Sequence, residues 1–166
     1  MRVGVIVDTN VAIVANGKAD QAGVDCIRAC IAALKQVRAS RRIWLDVNGL
    51  ILDEYRINLT PTGQPGVGDA FFKWLWNNQA NAQLCRQVRL SPLDDDHRLF
   101  AEFPDDPELR GFDRSDQKFA AVAIACGEEA PIQNASDTDW WFFREALARH
   151  GVQVHFLCPE LMTLQG

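Results

Sequence analysis

A short apolar strand near the N-terminus constrains the fold more than any other feature. Residues Val3–Val7 are β-branched apart from Gly4, and the polar residues Asp8, Thr9 and Asn10 follow at once. A strand that is apolar at every position is typical of a parallel sheet covered on both faces, and Asp, Thr and Asn favour the start of a helix. The pattern therefore predicts a buried strand that turns directly into a helix.

The rest of the chain alternates between helical periodicity and short strand-like runs. This order predicts an α/β fold around a mostly parallel sheet. A loop rich in proline and glycine at residues 60–66 predicts a hinge or a flap, and residues 93–113 predict one or two short helices. Helices are predicted at residues 21–38, 48–58, 68–86, from 115 to about 124, at 138–149 and from 159, and further strands at 42–46, 131–135 and 152–157.

Length and composition favour one soluble domain. The chain has 166 residues, 48% of them hydrophobic and 23% charged, which is ordinary for a globular domain. The apolar run Phe119–Cys126 is far shorter than the roughly 20 residues that span a bilayer. The N-terminus lacks the long apolar region and cleavage site of a signal peptide. We therefore expect a single domain over residues 1–166 in the cytoplasm.

The overall charge limits how a nucleic acid can be bound. The formal net charge is −5, which is opposite to that of proteins that bind nucleic acids by bulk electrostatics. Any phosphate partner must therefore be held locally. The basic residues are mostly arginine, whose planar group suits such local contacts.

The five cysteines predict reduced, buried thiols rather than a disulfide framework, because they are odd in number and lie mostly among apolar residues. Cys26 and Cys30 are four residues apart on a predicted helix and could share a metal. No second Cys or His pair at zinc-finger spacing accompanies them, so the sequence does not favour zinc. The cysteines are Cys26, Cys30, Cys85, Cys126 and Cys158.

The segment from Phe71 to Trp76 is unusually aromatic. Aromatic side chains can form platforms on which nucleic-acid bases stack. They also fill cores and subunit interfaces. The second interpretation is favoured on general grounds.

Four carboxylates lie where an α/β sheet would gather a site. Asp8 and Asp137 each follow a predicted strand, and the carboxyl ends of parallel strands are where open sheets bind ligands. Asp116 shares a helical stripe with apolar residues, and Glu54 lies between Leu50, Ile51 and Ile57 on its helix. Each acid alone could instead cap a helix or pair with an arginine.

Together these acids predict a cation. Two like charges 4 Å apart repel by about 4 kcal/mol at an effective dielectric constant of 20. A donor set of oxygen atoms without His or Cys favours Mg²⁺ or Mn²⁺. Such ions commonly bind substrate phosphate as well.

Four segments give the chain a resemblance to the PIN-domain family of metal-dependent nucleases. They are Val5-Ile6-Val7-Asp8-Thr9-Asn10-Val11, Leu52-Asp53-Glu54-Tyr55, residues 112–123 around Arg114-Ser115-Asp116, and Asn134-Ala135-Ser136-Asp137-Thr138-Asp139-Trp140. The resemblance spans nearly the whole chain and implies a three-layer α/β/α sandwich with four or five strands.

The resemblance also implies the residues of the site. Asp8, Glu54, Asp116 and Asp137 would be the catalytic and metal-binding acids, with Thr9 or Asn10 as a polar companion that binds the substrate. Ala135 stands where family members often carry Thr or Ser, which leaves Asp137 and Asp139 both eligible as the fourth acid, with Asp137 favoured. Beside the acids, Arg114 is the candidate phosphate contact, although an arginine there more commonly pairs with a carboxylate.

The implied activity is Mg²⁺- or Mn²⁺-dependent cleavage of RNA, in the manner of a toxin restrained by an antitoxin protein, and a homodimer is implied by analogy. Two alternatives stay open. One is a PIN nuclease that acts on DNA or in RNA maturation. The other is a module on the same fold that binds nucleic acid or protein without catalysis.

Overall fold

A five-stranded, all-parallel sheet forms the centre of the molecule in the computed structural model, which describes residues 2–17 and 22–163. The spatial order of its strands is β3-β2-β1-β4-β5. Helices cover the sheet, so the predicted three-layer α/β/α sandwich with a mostly parallel sheet is confirmed. The strands are β1 Val3–Val7, β2 Arg41–Asp46, β3 Cys85–Val88, β4 Ile132–Asn134 and β5 Val154–Phe156.

Seven α-helices are present among the described residues. Helix α1 follows β1, as the strand-to-helix pattern predicts, and the Asp8 side chain caps it by accepting a hydrogen bond from the Asn10 amide. The predicted helix at 138–149 is confirmed at both ends. The helices are α1 Thr9–Ala15, α2 Gly23–Ser40, α3 Leu50–Asn58, α4 Val67–Asn78, α5 Gln117–Ala125, α6 Thr138–Arg149 and α7 Pro159–Thr163.

The strand β1 lies at the centre of the core. It pairs with β2 on one side and β4 on the other, so the helix layers bury residues Gly4–Val7 completely or almost so. This central position explains why the strand is apolar on both faces. It also places Asp8 at the middle of the sheet's carboxyl edge.

The prediction of one helix over residues 68–86 is wrong for residues 79–86. Helix α4 ends at Asn78, where the asparagine side chain donates to the Trp74 carbonyl, and a turn around Asn81 leads into β3. Strand β3 pairs only with β2 at the edge of the sheet, and Arg86 and Gln87 point to solvent. Without alternating apolar residues, this edge strand gives no strand signal in the sequence.

The prediction that the chain lacks a disulfide is also wrong, because Cys26 and Cys158 are joined by one. The two residues are 132 positions apart, and no sequence spacing could indicate that they meet. Cys30 and Cys85 are free and buried, as expected, and burial raises their thiol pKa values to about 12 and about 11. Cys126 is free and half-buried.

The aromatic segment belongs mainly to the core. Phe71, Phe72 and Leu75 lie on the buried face of helix α4. Trp74, on the same helix, is partly buried and packs against the core. Trp76 is 49% exposed. The core interpretation therefore holds for most of the segment.

The loop at residues 60–66 is tied down at both ends by one carboxylate. Asp69 accepts hydrogen bonds from the amides of Thr60 and Gly66, at 2.8 and 2.9 Å, and from the Asn16 side chain. Gly68 lets α4 approach α1 closely, since a Cβ there would lie 1.9 Å from the Ala12 carbonyl oxygen. These contacts hold the two ends of the loop, and residues 62–65 between them are exposed.

Among the described residues, the helices are too short or too polar for any of them to cross a membrane.

Candidate acidic metal site

Two neighbouring strands bring the first pair of acids together. Asp8 follows β1 and Asp137 follows β4, and the two strands run parallel side by side. Asn134, the last residue of β4, links the acids through its side chain: Nδ2 donates to the Asp8 carboxylate at 3.2 Å, and Oδ1 accepts from the Asp137 backbone amide at 2.9 Å. One fully buried asparagine therefore holds the Asp8 carboxylate and the backbone of Asp137, whose carboxylate accepts from the Asp139 amide at 2.9 Å.

Asp116 enters from the segment before α5. It ends a 3₁₀ turn, Arg114–Asp116, that leads into the helix, and only 8% of its surface is exposed. Asp113 caps that turn by accepting from the Ser115 amide. Asp116 is buried as predicted, but it precedes α5, and residues 117–123 of that helix are buried on every side rather than along one stripe.

Glu54 reaches the site from α3 and is held by two partners. The Thr9 hydroxyl donates to one carboxylate oxygen, and the Lys118 ammonium lies 2.8 Å from the other. The sequence argument placed Glu54 between Leu50, Ile51 and Ile57, but Ile57 is 76% exposed. The apolar stripe of α3 is therefore narrower than expected, and Glu54 lies at its border.

Burial and mutual repulsion raise the pKa values of the acids. The pKa of Asp8 is raised to about 7, first by burial and then by the charge of Glu54. Burial followed by the charges of Asp8 and Asp137 raises the pKa of Asp116 to about 9. The pKa of Asp137 is also raised, mainly by burial. Without a cation, the site therefore retains protons at neutral pH.

The structure separates the two candidates for the fourth acid. Asp137 contributes to the raised pKa values of both Asp8 and Asp116. Asp139 instead accepts a hydrogen bond at 2.9 Å from the Asp113 amide, which ties α6 to the segment before α5. Asp137 is therefore the acid that faces the others, and Asp139 supports the loop.

The four acids converge without forming a closed cage. Within residues 2–17 and 22–163, no three carboxylates bring oxygen atoms to within 4.8 Å of one another. An ion bound directly by three or more of them would require a tighter cluster. Mg²⁺ usually keeps several waters and binds directly through one or two carboxylates, so this wider arrangement fits a hydrated hard cation.

The three predicted substrate-binding residues have different surroundings. Thr9 is 2% exposed and orients Glu54. The Asn10 side-chain oxygen accepts from the Ala135 amide at 3.2 Å, which holds the loop before Asp137. Arg114 is exposed and lines a cleft of about 740 Å³ that also includes Asp113 and Gln117 beside Asp116.

Sequence reasoning missed Lys118, Asn134 and Tyr55. Lys118 is 9% exposed and pairs with Glu54, and the Tyr55 hydroxyl donates to the Val7 carbonyl just before Asp8. A lysine inside an otherwise apolar helix was the available signal for Lys118. The polar end of the short strand β4 was the signal for Asn134, and nothing in the sequence distinguishes Tyr55 from an ordinary core residue.

Comparisons with family models, curated proteins and solved structures found no match to this chain. The functional argument therefore depends on the site itself.

Proposed function

We propose that the chain is a Mg²⁺- or Mn²⁺-dependent endoribonuclease with the fold and acidic site of the PIN-domain family. The observation that carries this proposal is the convergence of Asp8, Asp116 and Asp137 at the carboxyl edge of the sheet, where the charge of Asp137 raises the pKa values of the other two acids. Buried carboxylates that repel one another are costly unless a cation compensates them. Such a site is common where phosphate chemistry is catalysed.

The residues present suit the chemistry of phosphodiester hydrolysis. A bound divalent ion would neutralise phosphate charge and lower the pKa of water. Asp8, Asp116 and Asp137 would hold it, and Asn134 fixes two of these acids relative to each other. Glu54 lies beside them with its carboxylate oriented by Thr9 and Lys118, where it can accept a proton from an attacking water.

The cleft next to Asp116 offers room for a nucleic-acid strand. Arg110 and Arg114 line it together with the half-buried Phe103, and Asp105, Asp106 and Asp113 also belong to its lining. The two arginines suit local phosphate contacts, but the three aspartates leave the cleft without a net positive charge.

Cleavage of a labelled single-stranded RNA tests the proposal. We expect the purified chain to cut it with Mn²⁺ or Mg²⁺ but not with a chelator, and Asp8→Asn and Asp116→Asn each to lose activity with unchanged circular dichroism. Asp46→Asn is the matched control, because Asp46 ends a neighbouring strand and is buried, but its carboxylate accepts from the amides at the start of α3. If both site variants retained activity, the proposal would be wrong. Faster cleavage of a DNA of matched sequence would instead favour a deoxyribonuclease.

The two candidates for the fourth acid can be tested in the same assay. Asp137→Asn should lose cleavage, whereas Asp139→Asn should retain most of it and lose some thermal stability, because Asp139 holds the Asp113 amide. The opposite result would identify Asp139 as the fourth acid.

The proposed role as a toxin with an antitoxin partner derives from the family resemblance alone. Growth arrest on expression, relieved by a protein encoded by a neighbouring gene, is the expected result. If growth arrest persisted in Asp8→Asn, the toxicity would not depend on the acidic site.

A non-catalytic binding module on the same fold is the second candidate. Lys118 already neutralises Glu54, and the carboxylate oxygens are spread more widely than direct ligation of one ion requires. Calorimetry with Mn²⁺ discriminates the two functions. Binding that is lost in Asp8→Asn favours the nuclease, and the absence of binding at millimolar Mn²⁺ favours the inert module.

A further inference from the structure

Three cysteines that are distant in sequence meet in the core. The sulfur atoms of Cys26, Cys30 and Cys158 all lie within 4.8 Å of one another. Cys26 and Cys30 are one turn apart on the inner face of α2, and Cys158 lies between β5 and α7. Their exposed fractions are 1%, 0% and 0%.

The backbone holds all three residues in place before any ligand is bound. Cys26 and Cys30 belong to the 18-residue helix α2. The Cys158 amide donates to the Ala135 carbonyl at 3.0 Å, and its carbonyl accepts from the Leu161 amide at 3.1 Å. A preorganised donor set loses little conformational freedom on binding.

The other cysteines show that this cluster is unusual for the chain. Cys85 is 2% exposed but belongs to no such group within the part of the chain that the structure describes, and the Cys126 thiol lies within hydrogen-bond distance of the carbonyls of Ala123 and Glu128. A buried cysteine that serves only as a small apolar residue needs no sulfur neighbours. Cys30 has two, and those two are joined as a disulfide.

We propose that Cys26, Cys30 and Cys158 form a sulfur-only site that binds one thiophilic ion, Zn²⁺ or Cu⁺, when the disulfide is reduced. Sulfur donors select such soft ions over the hard cations of the acidic site. In a tetrahedral site with Zn–S distances of about 2.3 Å, two sulfur ligands lie ~3.8 Å apart. The three sulfur atoms already lie within 4.8 Å of one another, so side-chain rotation can bring them to this separation once the disulfide is reduced. The disulfide and the metal-bound form exclude each other.

The reaction balances in two steps. A phosphine reductant and water supply two electrons and two protons to the Cys26–Cys158 disulfide, which gives two thiols and a phosphine oxide. Binding of one ion then forms three metal–sulfur bonds and releases three thiol protons to solvent.

The test uses the full chain reduced by a phosphine and then titrated with Cd²⁺ as an optical probe and with Zn²⁺ against a chromophoric chelator. We expect one ion per chain and an ultraviolet sulfur-to-cadmium charge-transfer band, which carboxylate oxygens do not produce. The oxidised protein should lack the band. Asp8→Asn should keep it, which separates this site from the acidic one.

Cys30→Ser is the decisive variant, because it leaves the Cys26–Cys158 pair able to oxidise and so to report correct folding. We expect it to lose the band and about 100-fold in Zn²⁺ affinity. Cys85→Ser, the matched control, should bind as the unchanged chain does. A band that survives in Cys30→Ser, one that is lost in Cys85→Ser, or no band in the reduced unchanged chain would each overturn the proposal.

Discussion

The carboxyl ends of β1 and β2 look alike in sequence and differ in role. Each strand is followed or ended by an aspartate that is almost fully buried, Asp8 at 4% and Asp46 at 3% exposure. Asp46 uses both oxygens to cap α3, accepting from the amides of Leu50 at 2.8 Å and Ile51 at 2.9 Å. Asp8 accepts one amide and one asparagine side chain, and it faces other carboxylates.

The difference lies in the partners of each carboxylate. The strand β4 lies beside β1 and brings Asn134 and Asp137 to the same edge. The strand β2 also has a neighbour that delivers an acid, since β1 ends just before Asp8. Asp46, however, gives both of its oxygens to amides at the start of α3, whereas Asp8 faces other carboxylates.

Metal binding should separate the two positions most strongly. We expect Asp8→Asn to weaken Mn²⁺ binding by about two to three orders of magnitude, since one charge at 4 Å contributes ~4 kcal/mol at an effective dielectric constant of 20. Asp46→Asn should leave binding within about threefold of the unchanged chain. Isothermal titration calorimetry checks both, and equal losses would remove the distinction between the two strand ends.

The pH dependence of stability should reveal the protons held at the end of β1. The pKa values of Asp8 and Asp116 are raised from 3.8 to about 7 and about 9, so between these limits the folded state binds more protons than the unfolded state. Metal-free stability is therefore greatest below pH 4 for these groups and falls as pH rises towards 9, by up to ~1.4 kcal/mol per pH unit for each proton. Urea denaturation at several pH values measures this slope.

Asp116→Asn supplies the control for that slope. It should flatten the decline, especially above pH 7, whereas Asp46→Asn should leave the decline unchanged. A metal-free chain that gains stability between pH 5 and pH 8 through this site would contradict the assigned protonation.

Substitution of Lys118 measures how much of the repulsion among the acids its ammonium already compensates. Lys118→Met leaves Glu54 without its cation, so metal-free unfolding free energy should fall by about 1–3 kcal/mol. Added Mn²⁺ should then raise the melting temperature more than in the unchanged chain. Adding Glu54→Gln should restore metal-free stability, and Lys35→Met, an exposed position on α2, should change little.

The smallest expected effect is the loss of a helix cap at the end of β2. Asp46→Asn leaves one of two α3 amides without its acceptor and should cost about 1–2 kcal/mol. At pH 8, Asp8→Asn should instead leave metal-free stability unchanged or raise it by about 1 kcal/mol, because it removes a buried charge. Chemical denaturation of the pair measures the contrast, and losses of equal size would show that Asp8 too is mainly a cap.

Sequence reasoning predicted the parts of the site that carry local signals. Asp8 follows an apolar strand, as predicted, and Asp116 is buried, as its apolar surroundings in the sequence indicate. The pairing of Lys118 with Glu54 was not predictable, because it joins α5 to α3 across 64 residues. The edge strand β3 was missed because residues 85–88 have no apolar alternation.

The amino-acid sequence by itself determined the alternation of strands and helices, the helix start at Asp8 and the buried position of Asp116, since each follows from periodicity and capping within a few residues. Only the tertiary structure decided that β4 lies beside β1, that Asp137 rather than Asp139 faces the other acids, and that Cys158 meets Cys26 and Cys30. Strand order and long-range packing depend on the burial of the whole core, and no local pattern encodes which segments become neighbours.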